Sequence, residues 1–290
     1  MNNVKLIITE GLKPERSVLE KINEFFLNNN KNIVFSPDVG SILKLCKDLK
    51  EDPYLDYLTW LKEMGKTNET IDSLKLDDIS EVYLFFDYDC HGIFQNKTNK
   101  KQLKDFNENL HQLLELCNES TNQFGKLFIS YPMVESLWDI PKDNSFSNCN
   151  NNCFIKISDF KKYKMIIGNK NPDRQARMNI DQFKKYLSIH LDRFLSCIDD
   201  KKHTTLSSDS YLDIIEYDLI KLHKIESTLA EKQNKIFAIN PLPLFLLEIG
   251  GKKQFENFLT DLEKIGCKCD YKSCMELLIT VRDNITKSSR

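Results

Sequence analysis

The stretch "VYLFFDYDCHG", Val82 to Gly92, decides how the rest of the chain is read. Val82 to Phe86 is an unbroken apolar run of strand-forming residues, the pattern of a strand buried on both faces. It ends in two carboxylates, Asp87 and Asp89, and then in Cys90, His91 and Gly92, which supply a turn. Charges at the end of a buried strand are costly unless something there needs them.

Upstream, "VKLIIT" (Val4 to Thr9) is a second such run, followed by "EGLKPE" and by a helical pattern in which Val18, Leu19, Ile22, Phe25 and Phe26 share a face. "NIVFSP" (Asn32 to Pro37) predicts another strand and "VGSILKLCKDL" a second helix, and residues 51 to 75 predict an inserted helical stretch around Tyr54, Tyr57, Leu58, Trp60 and Leu61. After Val82 to Phe86 come a long amphipathic helix, "KQLKDFNENLHQLLELC", and a fourth strand, "KLFIS" (Lys126 to Ser130), leading into "YPMVESLWD". Strands alternating with helices predict an α/β fold: a mostly parallel four-stranded sheet flanked by helices. Beyond about residue 155 the pattern turns mainly helical, in Asp181 to Cys197, Tyr211 to Leu229, Lys253 to Ile265 and the apolar segment "NPLPLFLLEIGG". The expected organisation is therefore an α/β domain over 1–145 and a mainly helical domain over 146–290, joined through the polar link between Pro141 and Cys153.

Composition sets limits on function. The chain has 290 residues, 41% of them hydrophobic, which is enough for a substantial core. The formal charge of −2 conceals an asymmetry: residues 1–150 hold 17 basic and 24 acidic side chains, and residues 151–290 hold 24 basic and 19 acidic. An acidic half that collects carboxylates and a basic half that meets a polyanion suit a metal enzyme acting on nucleic acid. Two mixed surfaces with a chance imbalance fit the same counts. No stretch predicts a transmembrane helix, and "MNNVKLIITEG" reads as a strand rather than a signal peptide, so the expectation is a cytoplasmic protein with no membrane partner. The nine cysteines are expected to be reduced. Cys267, Cys269 and Cys274 lack the paired spacing of a structural zinc site, and whether they bind metal stays open.

Ligands of an open parallel sheet bind beyond the carboxyl ends of its strands. Glu10 follows the first strand, Asp87 and Asp89 the third, and Glu135 comes after the fourth. Converging carboxylates repel one another unless a hard cation sits among them, which suggests Mg2+ or Mn2+. The competing reading of the third-strand pair is that Asp87 caps the next helix and Asp89 begins a loop. Gly11 beside Glu10 would let a phosphate or metal approach the backbone.

These segments resemble the Toprim fold of topoisomerases, primases and OLD-type nucleases. The match lies in "IITEG" and "LFFDYD", so Glu10 corresponds to the family glutamate and Asp87 and Asp89 to its DxD pair. The opening "EGLKPE", with Lys13, Pro14 and Glu15, further resembles that of RloB-like defence proteins, and there Pro14 stands where the group has threonine. "ISYPMVESLW" resembles a segment of the same group and of the nuclease toxin of PARIS-type systems, through Ser130, Pro132, Glu135 and Trp138. The resemblance covers about residues 4–140. It implies a magnesium-dependent nuclease in which Glu10, Asp87, Asp89 and Glu135 are catalytic, the first three hold metal, and Gly11, Lys13, Glu15, His91 and Ser130 support them. It further implies a toxic effector of abortive infection against phage, cleaving tRNA or DNA, with an ABC/SMC-like ATPase partner. A homodimer is expected from the apolar helical half. Lys161, Lys162, Lys164, Lys170, Arg174 and Arg177 form a strip suited to phosphates, or else the solvated face of a helix.

Two other readings compete. A strand ending in DxD also describes haloacid-dehalogenase phosphatases, although there the motif lies on the first strand and is followed by Gly-Thr rather than Cys90-His91-Gly92. A non-catalytic Toprim-like sensor or scaffold is the other.

Overall fold

The structure is a computed structural model that describes residues 3–11, 13–88, 100–139, 154–168, 178–198 and 218–265. Its contacts divide the chain into two compact units, one of residues 1–93 and 101–134, the other of 94–100 and 135–290. The division falls at Val134/Glu135; the polar link expected between Pro141 and Cys153 lies outside the described residues.

The first unit is the α/β fold expected from the strand and helix order. β1 (Val4–Thr9), β2 (Ile33–Phe35), β3 (Ile79–Asp87) and β4 (Lys126–Ser130) form an all-parallel sheet in the order β2-β1-β3-β4. Leu6, Ile8, Tyr83, Leu84, Leu127 and Phe128 are completely buried, which is why these strands read as continuous apolar runs. Phe85 on β3 stacks on its register partner Phe128 on β4, with ring centroids 5.2 Å apart.

β3 begins three residues earlier than its apolar core suggests. Ile79 pairs with Val4 and Glu81 with Lys5, and the Glu81 carboxylate takes hydrogen bonds from the Lys5 ammonium and the Tyr83 hydroxyl. The strand is thus extended by backbone pairing and polar cross-strand contacts that hydrophobic periodicity does not record.

The helices begin where the sequence supplies caps. α1 (Pro14–Phe26) has proline in its first turn, and α2 (Ile42–Glu51) starts from Ser41, whose hydroxyl accepts the Leu43 N–H. The inserted stretch resolves into α3 (Tyr57–Glu63), capped by Asp56, and α4 (Glu69–Asp72), capped by Asn68. It is seated by Tyr57, whose hydroxyl donates to the Phe124 carbonyl at 2.7 Å. Gly125 is required beneath that ring: its φ is +68°, and a Cβ there would lie 3.2 Å from the tyrosine. α5 (Lys100–Leu116) packs along the end of β3, where the Tyr88 hydroxyl donates to Asn107 at 2.6 Å.

The chain leaves β1 for β2 on one side and then crosses to β3 on the other. That reversal puts the topological switch point between β1 and β3, where open α/β sheets form their ligand crevice.

The second unit is mainly helical, with α6 (Phe160–Gly168), α7 (Ile180–Ile198), α8 (Leu219–Thr228) and α9 (Leu242–Ile265). α9 is broken at Gly251, between the apolar segment and the amphipathic one that the sequence separates. Among the described residues the helix expected over Tyr211 to Leu229 starts at Leu219. One feature is additional to the helical expectation: Phe154–Lys156 (β5) and Lys235–Phe237 (β6) pair antiparallel, with Phe154 against Phe237 at 4.9 Å. Two three-residue strands far apart in sequence carry too little periodicity to be read beforehand.

Candidate metal centre

Glu10 and Asp87 meet at the switch point. The ladder between β1 and β3 runs one step past Thr9, with the Glu10 N–H donating to the Phe85 carbonyl at 3.0 Å. This places the Glu10 side chain at the end of β3, where its Oε2 accepts the Asp87 N–H at 2.9 Å. Asp87 is 9% exposed, and its carboxylate Oδ1 accepts the Val134 N–H at 2.8 Å. Ser130, also buried, is the register partner of Asp87 on β4, and its carbonyl accepts the Tyr88 N–H.

The chain around Glu10 is held on several sides. The Thr9 hydroxyl donates to the Gly11 carbonyl at 2.8 Å, and the connection after β2 lies alongside, with the Val39 and Gly40 N–H groups donating to the Thr9 and Glu10 carbonyls. Glu15, in the first turn of α1 where the helix dipole favours an anion, is 6% exposed. Its carboxylate folds over Gly11 so closely that a Cβ there would lie 2.9 Å from Oε2. Gly11 is therefore the gap into which Glu15 fits, next in sequence to Glu10. Lys13, at the N-cap of α1, is exposed and makes no side-chain cap bond.

The structure thus brings Glu10 and Asp87 together, with Glu15 against Gly11 and Ser130 opposite Asp87. Asp89 and His91 lie outside the described residues. Glu135 belongs to the second unit and is half-buried, in a 3₁₀ turn spanning Val134–Trp138. Among the described residues no group of three or more His, Cys, Asp or Glu has metal-holding geometry. Glu10 and Asp87 offer oxygen donors only, the chemistry that suits Mg2+ or Mn2+ rather than a thiophilic ion. The buried thiols are not part of it: burial pushes Cys46 up to about 12 and Cys117 up to about 11.

The basic strip is described only in part. Lys161 and Lys162 on α6 are exposed and Lys164 is half-buried, whereas Lys170, Arg174 and Arg177 lie outside the described residues. Tyr163, between them in sequence, is turned away from such a role: its hydroxyl donates to Asp139 Oδ2 at 3.1 Å, and burial, then the Asp139 charge, raises its pKa well above the usual value.

Sequence reading missed the backbone donor at Val134, which no side-chain pattern can reveal, and it missed two buried polar residues on α7. His190 and Arg193 are 0% and 2% exposed. Their signal was present in "SIHLDRF", where two basic residues three apart fall on an apolar helical stripe.

Comparison of the chain with family models, with curated proteins and with solved structures returned no match.

Proposed function

We propose that the chain is a Mg2+- or Mn2+-dependent Toprim-type nuclease that hydrolyses phosphodiester bonds. The observation that carries this reading is the pairing of Glu10 with Asp87 at the switch point of a parallel sheet, the place where such folds bind ligands. Structural capping gives a weaker account. A cap uses one carboxylate on the first turn of its own helix, whereas Glu10 reaches across strands to the β3 backbone and Asp87 reaches to the chain after β4.

In this reading Glu10, Asp87 and Asp89 hold the ion, while Glu15 and Gly11 shape the approach; a catalytic part for Glu135, which belongs to the second unit, rests on the resemblance alone. A divalent ion supplies charge stabilisation and an acidified water. The protein holds Glu10 and Asp87 in place through backbone donors, so that little reorganisation is needed when a phosphate arrives. Lys161 and Lys162 supply phosphate contacts. The substrate is nucleic acid, tRNA or DNA. The remaining expectation, a toxic antiphage effector restrained by an ATPase partner, is a proposal resting on the resemblance of "EGLKPE" and "SYPMVESLW", and a homodimeric state is proposed from the apolar helical half.

Purified full-length protein is incubated with tRNA, single-stranded DNA and plasmid, with Mg2+, with Mn2+ and with EDTA. Cleavage that needs the ion and disappears in Glu10→Ala and Asp87→Ala is the expected result. Absence of cleavage, or cleavage that survives both substitutions, removes the reading.

A further inference from the structure

The helical insertion between α2 and β3 brings a cation to the strand ends. α2 begins beside Glu10, since Gly40, just before the Ser41 cap, donates its N–H to the Glu10 carbonyl. α3 is tied to α2 through Trp60, whose Nε1 donates to Asp48 Oδ2 at 2.7 Å. It ends in a closed turn, in which the Gly65 N–H donates to the Lys62 carbonyl at 3.0 Å and the Lys66 N–H to the Leu61 carbonyl at 2.8 Å. That pair of bonds is the Schellman closure, and it needs the left-handed φ of +64° that Gly65 adopts. The backbone of Lys66 is thereby fixed, and its ammonium reaches Asp38 Oδ2 at 3.4 Å.

Asp38 lies in the connection after β2, and the next two residues, Val39 and Gly40, donate to the Thr9 and Glu10 carbonyls. The Lys66 ammonium is thus anchored two residues along the chain from a contact with Glu10. Arg16 on α1 and Lys44 on α2 behave differently: they turn to Glu20 and Asp48, further from the strand ends along their own helices. A half-exposed pair such as Lys66–Asp38 adds little to stability, so folding alone is a weak reason for delivering Lys66 there. Charge gives a stronger one. Glu10, Asp87 and Asp38 surround the strand ends with negative charge that repels a polyanion, and a cation beside them offsets that repulsion. The ammonium is also open to recruitment, because its Asp38 contact is longer than the about 2.7–2.9 Å of a charge-assisted hydrogen bond.

We propose that Lys66 contacts a phosphate of the nucleic acid at the strand-end site, and that the α3–α4 insertion serves to deliver it. This rests on the nuclease reading above. Every group it invokes belongs to the first unit.

Full-length protein is tested for binding to single-stranded DNA and tRNA across a salt series without divalent ion, and for Mg2+-dependent cleavage. Lys66→Gln keeps most of the stem and is expected to raise Kd and KM about 10-fold or more, the size of one lost charge-assisted hydrogen bond. It should lower the salt slope by about 0.7–0.9 while kcat and the Mn2+ affinity of the free protein are kept. Lys66→Arg keeps the charge and should keep the slope. Asp38→Asn breaks the same ion pair but leaves the ammonium, so its slope should not fall. An equal fall in Asp38→Asn and Lys66→Gln would mean that the pair only holds the connection after β2, and it overturns the proposal. An unchanged slope in a Lys66→Gln protein that melts and cleaves like the unaltered one overturns it too. An unaltered protein that neither binds nor cleaves nucleic acid refutes the nuclease reading itself, a separate outcome from a nuclease whose salt slope ignores Lys66.

Discussion

Gly11→Ala is the sharpest probe of the strand-end site, because its structural cost and its functional cost should differ widely. A Cβ at Gly11 would stand 2.9 Å from Glu15 Oε2, 3.1 Å from Oε1 and 3.3 Å from Cδ. Carbon and oxygen do not pack that closely, so the carboxylate must retreat by a few tenths of an ångström. The obstacle is the far end of a rotatable side chain and not backbone, so the retreat means an off-rotamer Glu15 at about 0.5–1.5 kcal/mol. For a domain of this size that lowers the thermal midpoint by only a few degrees. The displaced carboxylate lies beside the residue that follows Glu10, however, and loss of such a neighbour is expected to weaken Mn2+ binding about 10- to 100-fold. Calorimetric Mn2+ titration and thermal melts of the same samples read the two quantities side by side. Removing the acid instead, with Glu15→Gln, should reproduce the loss of affinity without the crowding. Were Gly11→Ala to bind Mn2+ and cleave like the unaltered protein, or were its stability loss to account for all of its lost activity, Glu15 would have no part in the site.

Asp87→Ala removes the acceptor of a buried N–H at Val134 and should cost about 1–3 kcal/mol; Asp87→Asn keeps an acceptor and should cost less, while both abolish metal-dependent cleavage in the nuclease assay. Glu226 is fully buried, with Oε2 accepting the Phe237 N–H, and burial raises its pKa well above the ordinary 4.5. The folded chain therefore keeps this proton while the unfolded chain loses it, and stability falls by about 1.4 kcal/mol per pH unit above that value until the folded carboxyl ionises. Glu226→Gln removes that slope, so urea melts of the two proteins should diverge as pH rises, and parallel curves would mean the carboxyl is not held neutral. Lys161→Ala with Lys162→Ala should raise KM and reduce the salt dependence of binding by about 0.7–0.9 per lost phosphate contact, with kcat kept; an unchanged salt slope in filter binding places the substrate elsewhere.

The all-parallel sheet was readable because its strands are buried on both faces, so burial writes itself into sequence as runs such as "KLIIT" and "VYLFF". Helix starts were readable at Pro14, Ser41 and Asp56, where capping chemistry is local. The β3 extension through Ile79 to Glu81 and the β5–β6 pair escaped because they depend on partners distant in the chain. The acids were legible as residues at the ends of parallel strands and so as a converging set, but the backbone bonds that hold Glu10 and Asp87 were not.

Sequence alone therefore determined which elements form and which side chains stand at their ends, since propensity, capping and apolar period act over a few residues. Tertiary structure decided the strand order β2-β1-β3-β4, which sets β1 beside β3 and so brings Glu10 to the Asp87 amide. It also decided that the Asp87 carboxylate meets the Val134 N–H, and that buried Arg193 and His190 meet carbonyls of the chain after it. Those contacts join residues tens of positions apart through backbone groups that every residue shares, and no side-chain pattern encodes them.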